Sequence, residues 1–211
     1  MEKKSTPMRG CDSWYDNDYS DIKGRPRVSD FEKDIWPHIE DCFSKDKTVL
    51  DVGCGNGRFS NFFKTYVKNV SAIDPWQHLN PLFVADNLHY QQIGLMDFDI
   101  PDWMGAQKYD IIFMNGVFYL FNFKDETGSS KALKKGGQAA AIHKTKAILT
   151  EGGILILMGG LDRLVESAHE IPGRYDIPKI CSKYNFEIVD IFKYPQYNYH
   201  MTVLRNLGDK E

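Results

Sequence analysis

The sequence predicts a doubly wound α/β fold, with a mostly parallel seven-stranded sheet covered by helices on both faces. Three observations lead there. Strand-like and helix-like periods alternate from Lys47 onward, the first strand runs into a glycine-rich turn, and the last two strand-like runs leave no room between them for a helix. At 211 residues, 42% hydrophobic and 26% charged, the chain is long enough to bury a real core and has an ordinary globular composition.

Residues 1–10 are polar and expected to fray, and residues 11–27 mix aromatic, acidic and basic side chains without a period, which reads as loop. Ser29 and Glu32 have the spacing of a capping box, and Phe31, Ile35, Trp36 and Ile39 line one side of the helix expected to follow. Pro37 lies inside that pattern and should kink or split it. Thr48 to Val52 reads as the first strand. Phe59, Phe62, Phe63, Tyr66 and Val67 then keep a helical stripe.

Further strands are expected at Val70 to Asp74, His89 to Gly94 and Tyr109 to Asn115. A helix near Ala139 to Leu149 and the pair Gly152-Gly153 precede a strand at Ile154 to Met158. Leu161, Leu164, Val165, Ala168 and Ile171 form another helical stripe, and Ile177 to Tyr184 a short helix. Phe186 to Phe192 and His200 to Leu204 should pair antiparallel, because a parallel pair needs a crossover. The chain divides into an arm and helix, 1–46, and a main domain, 47–211.

Composition excludes several function classes. The longest apolar runs, Ile111 to Met114 and Ile154 to Met158, are too short to cross a membrane. Lys3 and Lys4 are not followed by an apolar stretch, so no secretory signal is expected. Cys11, Cys42, Cys54 and Cys181 are scattered, with no CxxC pair and no histidine at metal spacing. They read as reduced thiols of a cytoplasmic protein. A net charge of −3 gives no reason to expect a polyanionic partner across the whole surface.

The informative stretch is Val49-Leu50-Asp51-Val52-Gly53-Cys54-Gly55-Asn56-Gly57-Arg58-Phe59. A strand enters three alternating glycines and an amphipathic helix follows. Glycines permit the tight turn and let a ligand approach the backbone. Asp74, at the end of the next strand, lies 17 residues beyond Gly57, close to where α/β nucleotide folds place a carboxylate on ribose hydroxyls. A dinucleotide fingerprint, G-x-G-x-x-G/A, fits less well. Its third small position is filled by Arg58, and Asp51 would set negative charge beside a pyrophosphate. That acid suits a ligand carrying an ammonium and a sulfonium.

Leu50-Asp51-Val52-Gly53-Cys54-Gly55-Asn56-Gly57 resembles the first motif of the class I S-adenosylmethionine-dependent methyltransferases, and Ala72-Ile73-Asp74 resembles their second. Lys108-Tyr109-Asp110-Ile111-Ile112 is similar to their fourth-strand pattern, and Ala147 to Leu155 to their helix, Gly-Gly and fifth strand. The likeness spans roughly residues 47–205 in the correct order. It implies a Rossmann-like fold with an antiparallel C-terminal strand, and S-adenosylmethionine as cofactor with S-adenosylhomocysteine as product. Gly53, Cys54 and Gly55 would pass under the methionine part, with Gly57 closing the loop. Asp51 would hold the ammonium through water or backbone, and Asp74 both ribose hydroxyls. Pro75 and Trp76 would border the adenine. The third motif departs from the pattern, reading Gly94-Leu95, so Met96 or Phe98 could flank the adenine and Asp97 could receive its amino group. Asn115-Gly116 would meet the methionine end through backbone carbonyls, although the same dipeptide is also a hairpin signal.

The acceptor is less determined. After the fourth strand stands Asn115-Gly116-Val117-Phe118, not the Asp/Asn-Pro-Pro-aromatic motif of exocyclic-amine DNA methyltransferases, and a Pro-Cys nucleophile is missing. A small-molecule acceptor is favoured over RNA or protein, with methylation at oxygen or nitrogen; a cofactor-binding subunit without activity of its own is the alternative from another class. Trp14, Tyr15 and Tyr19 could form a lid over the cofactor or simply pack the arm. Five lysines between Lys131 and Lys146 could meet an anionic substrate or form a solvated helix face. Tyr119 is an orienting candidate and His169 a candidate base, ahead of His38, His78, His89, His143 and His200. The fourth and fifth strands end in Asn115-Gly116 and Met158-Gly159-Gly160, without the paired acids that would share a hard cation, so no metal is expected.

Overall fold

Five strands run parallel before the chain reverses direction. The structure, a computed structural model, describes residues 28–75, 85–118, 137–160, 164–165 and 175–209. β1 (Thr48–Val52), β2 (Asn69–Ile73), β3 (Leu88–Gln91), β4 (Tyr109–Asn115), β5 (Leu149–Gly160), β8 (Phe186–Tyr194) and β9 (Tyr199–Asn206) form one sheet in the order β3-β2-β1-β4-β5-β9-β8. β9 is antiparallel to both β5 and β8. The expected seven-stranded sheet with an antiparallel last strand is therefore present. β6 (Leu164–Val165) and β7 (Tyr175–Asp176) form a separate parallel pair.

Apolar runs in β1, β4 and β5 are nearly continuous because both faces of these strands are covered. Alternate residues serve two cores. Val49, Ile111, Phe113, Ile154, Ile156, Met158, Met201 and Val203 join one cluster, while Leu50, Val52, Ile112, Met114, Leu155, Leu157 and Leu204 join the other. The first is covered by α2 (Arg58–Phe63) and the segment before β1; the second by α3 (Gly137–Ile148) and α4 (Ile177–Tyr184). Tyr109 is odd-numbered yet joins the second cluster, because the β4–β5 register shifts between Tyr109 and Ile111.

Several expectations change in detail. The first helical segment, α1 (Val28–Asp30), already contains Ser29, so Ser29 is not its cap. The winding then loosens to a π turn at Phe31–Ile35 and tightens to 3-10 turns at Trp36–His38 and Glu40–Cys42. Pro37 lacks the N–H that a regular helix needs there, so the split falls where it was expected. β5 starts at Leu149, earlier than Ile154; the register shift absorbs residues 150–153, with Gly152 at φ +75°.

The helix expected over Leu161 to Ile171 is corrected at Leu164 and Val165, which pair with Tyr175 and Asp176 as strands. A few apolar residues fit either period, and pairing with a partner strand decides between them. Trp14, Tyr15, Tyr19, Trp76, His78, Tyr119, Lys131 and His169 lie outside the described residues.

Phe31 ties the segment before β1 to the sheet. It is fully buried, with ring centroids 4.9 Å from Phe59, 5.6 Å from Phe62, 6.1 Å from Phe63 and 6.2 Å from Phe113. Phe31→Ala should cost about 3–5 kcal/mol through lost burial and the cavity left behind. Urea denaturation checks this; a loss below about 1 kcal/mol would mean that residues 28–42 are not integral to the core.

Candidate functional site

The sheet order reverses between β1 and β4, and it is outside the carboxyl ends of such a pair that an open α/β sheet forms a ligand crevice. β1 ends there in the glycine turn, whose Gly53, Gly55 and Gly57 have φ of +68°, +55° and +77°. The Gly53 and Cys54 N–H groups donate to the Ile73 carbonyl at 2.8 and 3.1 Å, hooking the turn over the end of β2. A Cβ on Gly53 would stand 2.3 Å from Val117 Cγ1, so the residue after Asn115-Gly116 presses on the turn from the β4 side.

Two carboxylates stand beneath this turn. Asp74 is 4% exposed, and its Oδ2 accepts from the Gly55 N–H at 3.0 Å. Asp51 is 2% exposed, and its Oδ2 accepts from the Ser60 hydroxyl at 2.5 Å. Burial, and to a lesser extent the neighbouring Asp74, pushes the Asp51 carboxyl up to about 7, against the pull of Ser60 and Arg58. Burial beside the same two acids pushes the Cys54 thiol far up, so Cys54 is a small residue in a tight turn and not a neutral-pH thiolate.

The structure brings Asp51, Gly53, Cys54, Gly55, Gly57, Asp74, Pro75, Asn115 and Gly116 to this one edge. Asn115-Gly116 is no hairpin: β4 is parallel to both its neighbours, and Gly116 N–H donates to the Met158 carbonyl at 2.9 Å. In the third motif Met96 is half-buried and Asp97 exposed, whereas Phe98 is fully buried with its ring 6.2 Å from Tyr109. Phe98 therefore belongs to the core, and of the two flanking candidates Met96 is the one at the surface.

The histidines among the described residues have other surroundings, His143 being exposed on α3. His38 stacks near Phe192 at 4.4 Å and His89 near Trp103 at 4.5 Å. His200 is buried with Nδ1 3.1 Å from the Gly160 carbonyl oxygen.

Three residues at the edge were not foreseen. Ser60 sits in the first turn of α2, where serine is a mediocre helix former, a weak signal that its side chain has another task. Tyr199 donates to Asn115 Oδ1 at 2.6 Å, and Tyr197 to Asp34 Oδ2 at 2.5 Å. These last two flank the start of β9, and only the sheet order brings Tyr199 beside Asn115 and Gly116. Among the described residues no group of three His, Cys, Asp or Glu is placed to hold a metal, and no helix is long and apolar enough to cross a membrane.

A family described as "Methyltransferase domain" matches residues 28–185. The chain belongs to this methyltransferase family, the S-adenosylmethionine-dependent class I kind that its motifs resemble. A tRNA U34 carboxymethyltransferase from Cellvibrio japonicus is 28% identical over 210 residues, which cover 88% of this chain and 59% of that protein. Protein arginine N-methyltransferase 2 of mouse is 29% identical over 134 residues, 55% of this chain and 29% of that one. The chain thus spans less than two thirds of the length of these curated relatives. The N-methyltransferase NodS from Bradyrhizobium japonicum WM9, solved with S-adenosylhomocysteine, shares the fold at a TM-score of 0.59 and 16% identity, covering 92% of this chain and 95% of that one.

The Asp51 environment makes a prediction about stability. Its folded value of about 7 lies above the ordinary 3.8, so the folded chain holds a proton there that the unfolded chain releases. The associated stability is complete below about pH 4 and is lost as pH rises to and through 7. Asp51→Asn removes that loss and should raise the urea midpoint more at pH 8 than at pH 5. An equal change at both pH values would mean that the carboxylate is not the source.

Proposed function

We propose that the chain transfers a methyl group from S-adenosylmethionine to an oxygen or nitrogen of a small-molecule acceptor. The acceptor class rests on the charge of the carboxyl edge. Asp51 and Asp74 stand there beside Asn115 and Tyr199, an acidic setting suited to a neutral or amine-bearing molecule. Nucleic-acid binding draws on cations that neutralise phosphates, and carboxylates oppose it. A second reading, methylation of RNA, is favoured by the alignment of 88% of the chain with a tRNA-modifying enzyme.

The residues fit this cofactor. A buried carboxylate pushed up to about 7 is stabilised in its ionised form by a ligand's ammonium, and Asp51 is such a group. Asp74, held by the Gly55 N–H, is the ribose partner of this reading. Gly53, Cys54 and Gly55 underlie the methionine part and Gly57 closes the loop. Pro75 and Trp76 border the adenine, with Met96 beside it and Asp97 at its amino group. Asn115-Gly116 meets the methionine end.

When bound, S-adenosylmethionine supplies an electrophilic methyl that a lone pair of the acceptor takes in line. The chain's share is mainly to hold the two partners in that line. A base matters only where the acceptor must lose a proton; His169 is the base of this proposal and Tyr119 its orienting contact.

The test incubates the purified chain and tritiated cofactor with small metabolites, tRNA and protein in parallel. Label should enter the small-molecule fraction and be unaffected by a chelator. Label confined to tRNA would establish the second reading, and loss on chelation with restoration by magnesium would overturn metal independence. Asp74→Ala should weaken S-adenosylhomocysteine binding about a hundredfold or more, from two charge-assisted bonds of roughly 1.5–3 kcal/mol each. Calorimetry reads this directly; unchanged affinity would place the ribose partner elsewhere.

A further inference from the structure

Tyr199 opens β9 and pairs with Gly160, whereas Asn115 closes β4 and pairs with Met158. The hydrogen bond from the Tyr199 hydroxyl to Asn115 Oδ1, 2.6 Å long, therefore spans β5 from side to side. Two strand spacings are about 10 Å, near the limit of what a tyrosine can bridge. Asn115 and Tyr199 continue the rows that end in Phe113 and Met201, on the face of the first cluster, and Gly160, the β5 partner of Tyr199, adds no side chain there. Tyr199 is 5% exposed, and its hydroxyl also closes over Gly116, where an added Cβ would lie 3.3 Å away.

The bond fixes which end of the Asn115 amide is on offer. Oδ1 is engaged by the phenol, and among the described residues Nδ2 donates to nothing, so Asn115 meets a ligand as a pair of N–H donors. Its neighbour Gly116 joins it to Val117, which presses on Gly53 in the glycine turn. The donor pair thus belongs to the same crevice as Asp51 and Asp74.

We propose that Tyr199 is a positioning residue acting through Asn115: it holds the amide so that its N–H groups bind the carboxylate of the cofactor's methionine moiety. This rests on the cofactor reading above. Asp51 and Asn115 then divide the amino-acid end between them, the acid taking the ammonium and the amide the carboxylate.

The test uses two ligands, S-adenosylhomocysteine and its decarboxylated analogue S-adenosyl-3-thiopropylamine, titrated calorimetrically into the full chain. Asn115→Asp keeps the acceptor for Tyr199 but removes the donors, and should weaken S-adenosylhomocysteine tenfold or more. Tyr199→Phe keeps the ring and releases the amide, and should weaken it severalfold. The double variant should be no worse than Asn115→Asp alone, since both act on one interaction. None of the three should lose affinity for the decarboxylated analogue, which a general disturbance of the crevice would weaken equally. Equal losses for both ligands, or no loss for S-adenosylhomocysteine, overturns the proposal. Failure of the unsubstituted chain to bind either ligand overturns the cofactor reading and this inference with it.

Discussion

Two carboxylates withheld from water, at the ends of adjacent strands, set the terms for the carboxyl edge. Asp51 and Asp74 are almost completely buried; Asp51 accepts from Ser60 in the helix that follows the glycine turn, and Asp74 from the Gly55 N–H within it. An isolated buried charge is costly, so such groups are tolerated where donors or a cation compensate them. The turn can supply backbone donors only because its glycines take left-handed conformations. Val117 then presses the turn from above, and Tyr199 steadies the corner from which Val117 departs. The edge is therefore one connected arrangement, although its parts come from four strands and a helix.

Much of this was legible in the sequence because it follows from local chemistry. The strand bounds Thr48–Val52 and Tyr109–Asn115 and the helix Ile177–Tyr184 coincide with those expected, since each ends at a glycine or asparagine, Gly53, Gly116 and Asn185, that takes a left-handed conformation. Asp51, Asp74 and the glycines could be placed because a strand, a tight turn and an acid at the next strand end form a local pattern. Tyr199 could not, because its partner lies 84 positions away and β9 reaches β5 only through the sheet order. Phe98 misled for a related reason. A phenylalanine beside an exposed acid fits an adenine wall as well as it fits a core, and only the packing against Tyr109 decides. At Leu164 and Val165 a helical spacing of apolar residues gave way to a two-residue strand pair, a scale at which periodicity carries little information.

Family and acceptor are separated by the same logic. The family is written in the turn and strand ends, which any methyl donor of this kind demands. The acceptor is not written there, because one fold hosts many acceptors through changes in its site that leave the scaffold unaltered. Relatives that act on tRNA and on protein arginine are compatible with one scaffold for that reason.

The position of β9 has a consequence for biosynthesis. Because it lies between β5 and β8, the flank of β5 is uncovered and β8 has no sheet partner until residues 199–206 have left the ribosome. Until then a nascent chain carries an unpaired apolar strand end to end, the kind of surface that invites association with other chains. Ile188 and Val189, 40% and 41% exposed even in the finished sheet, lie on the strand that waits. A chain that lacked residues 199–206 would keep five parallel strands with β5 at an open edge and β8 unpaired, a product suited to capture by chaperones and proteases.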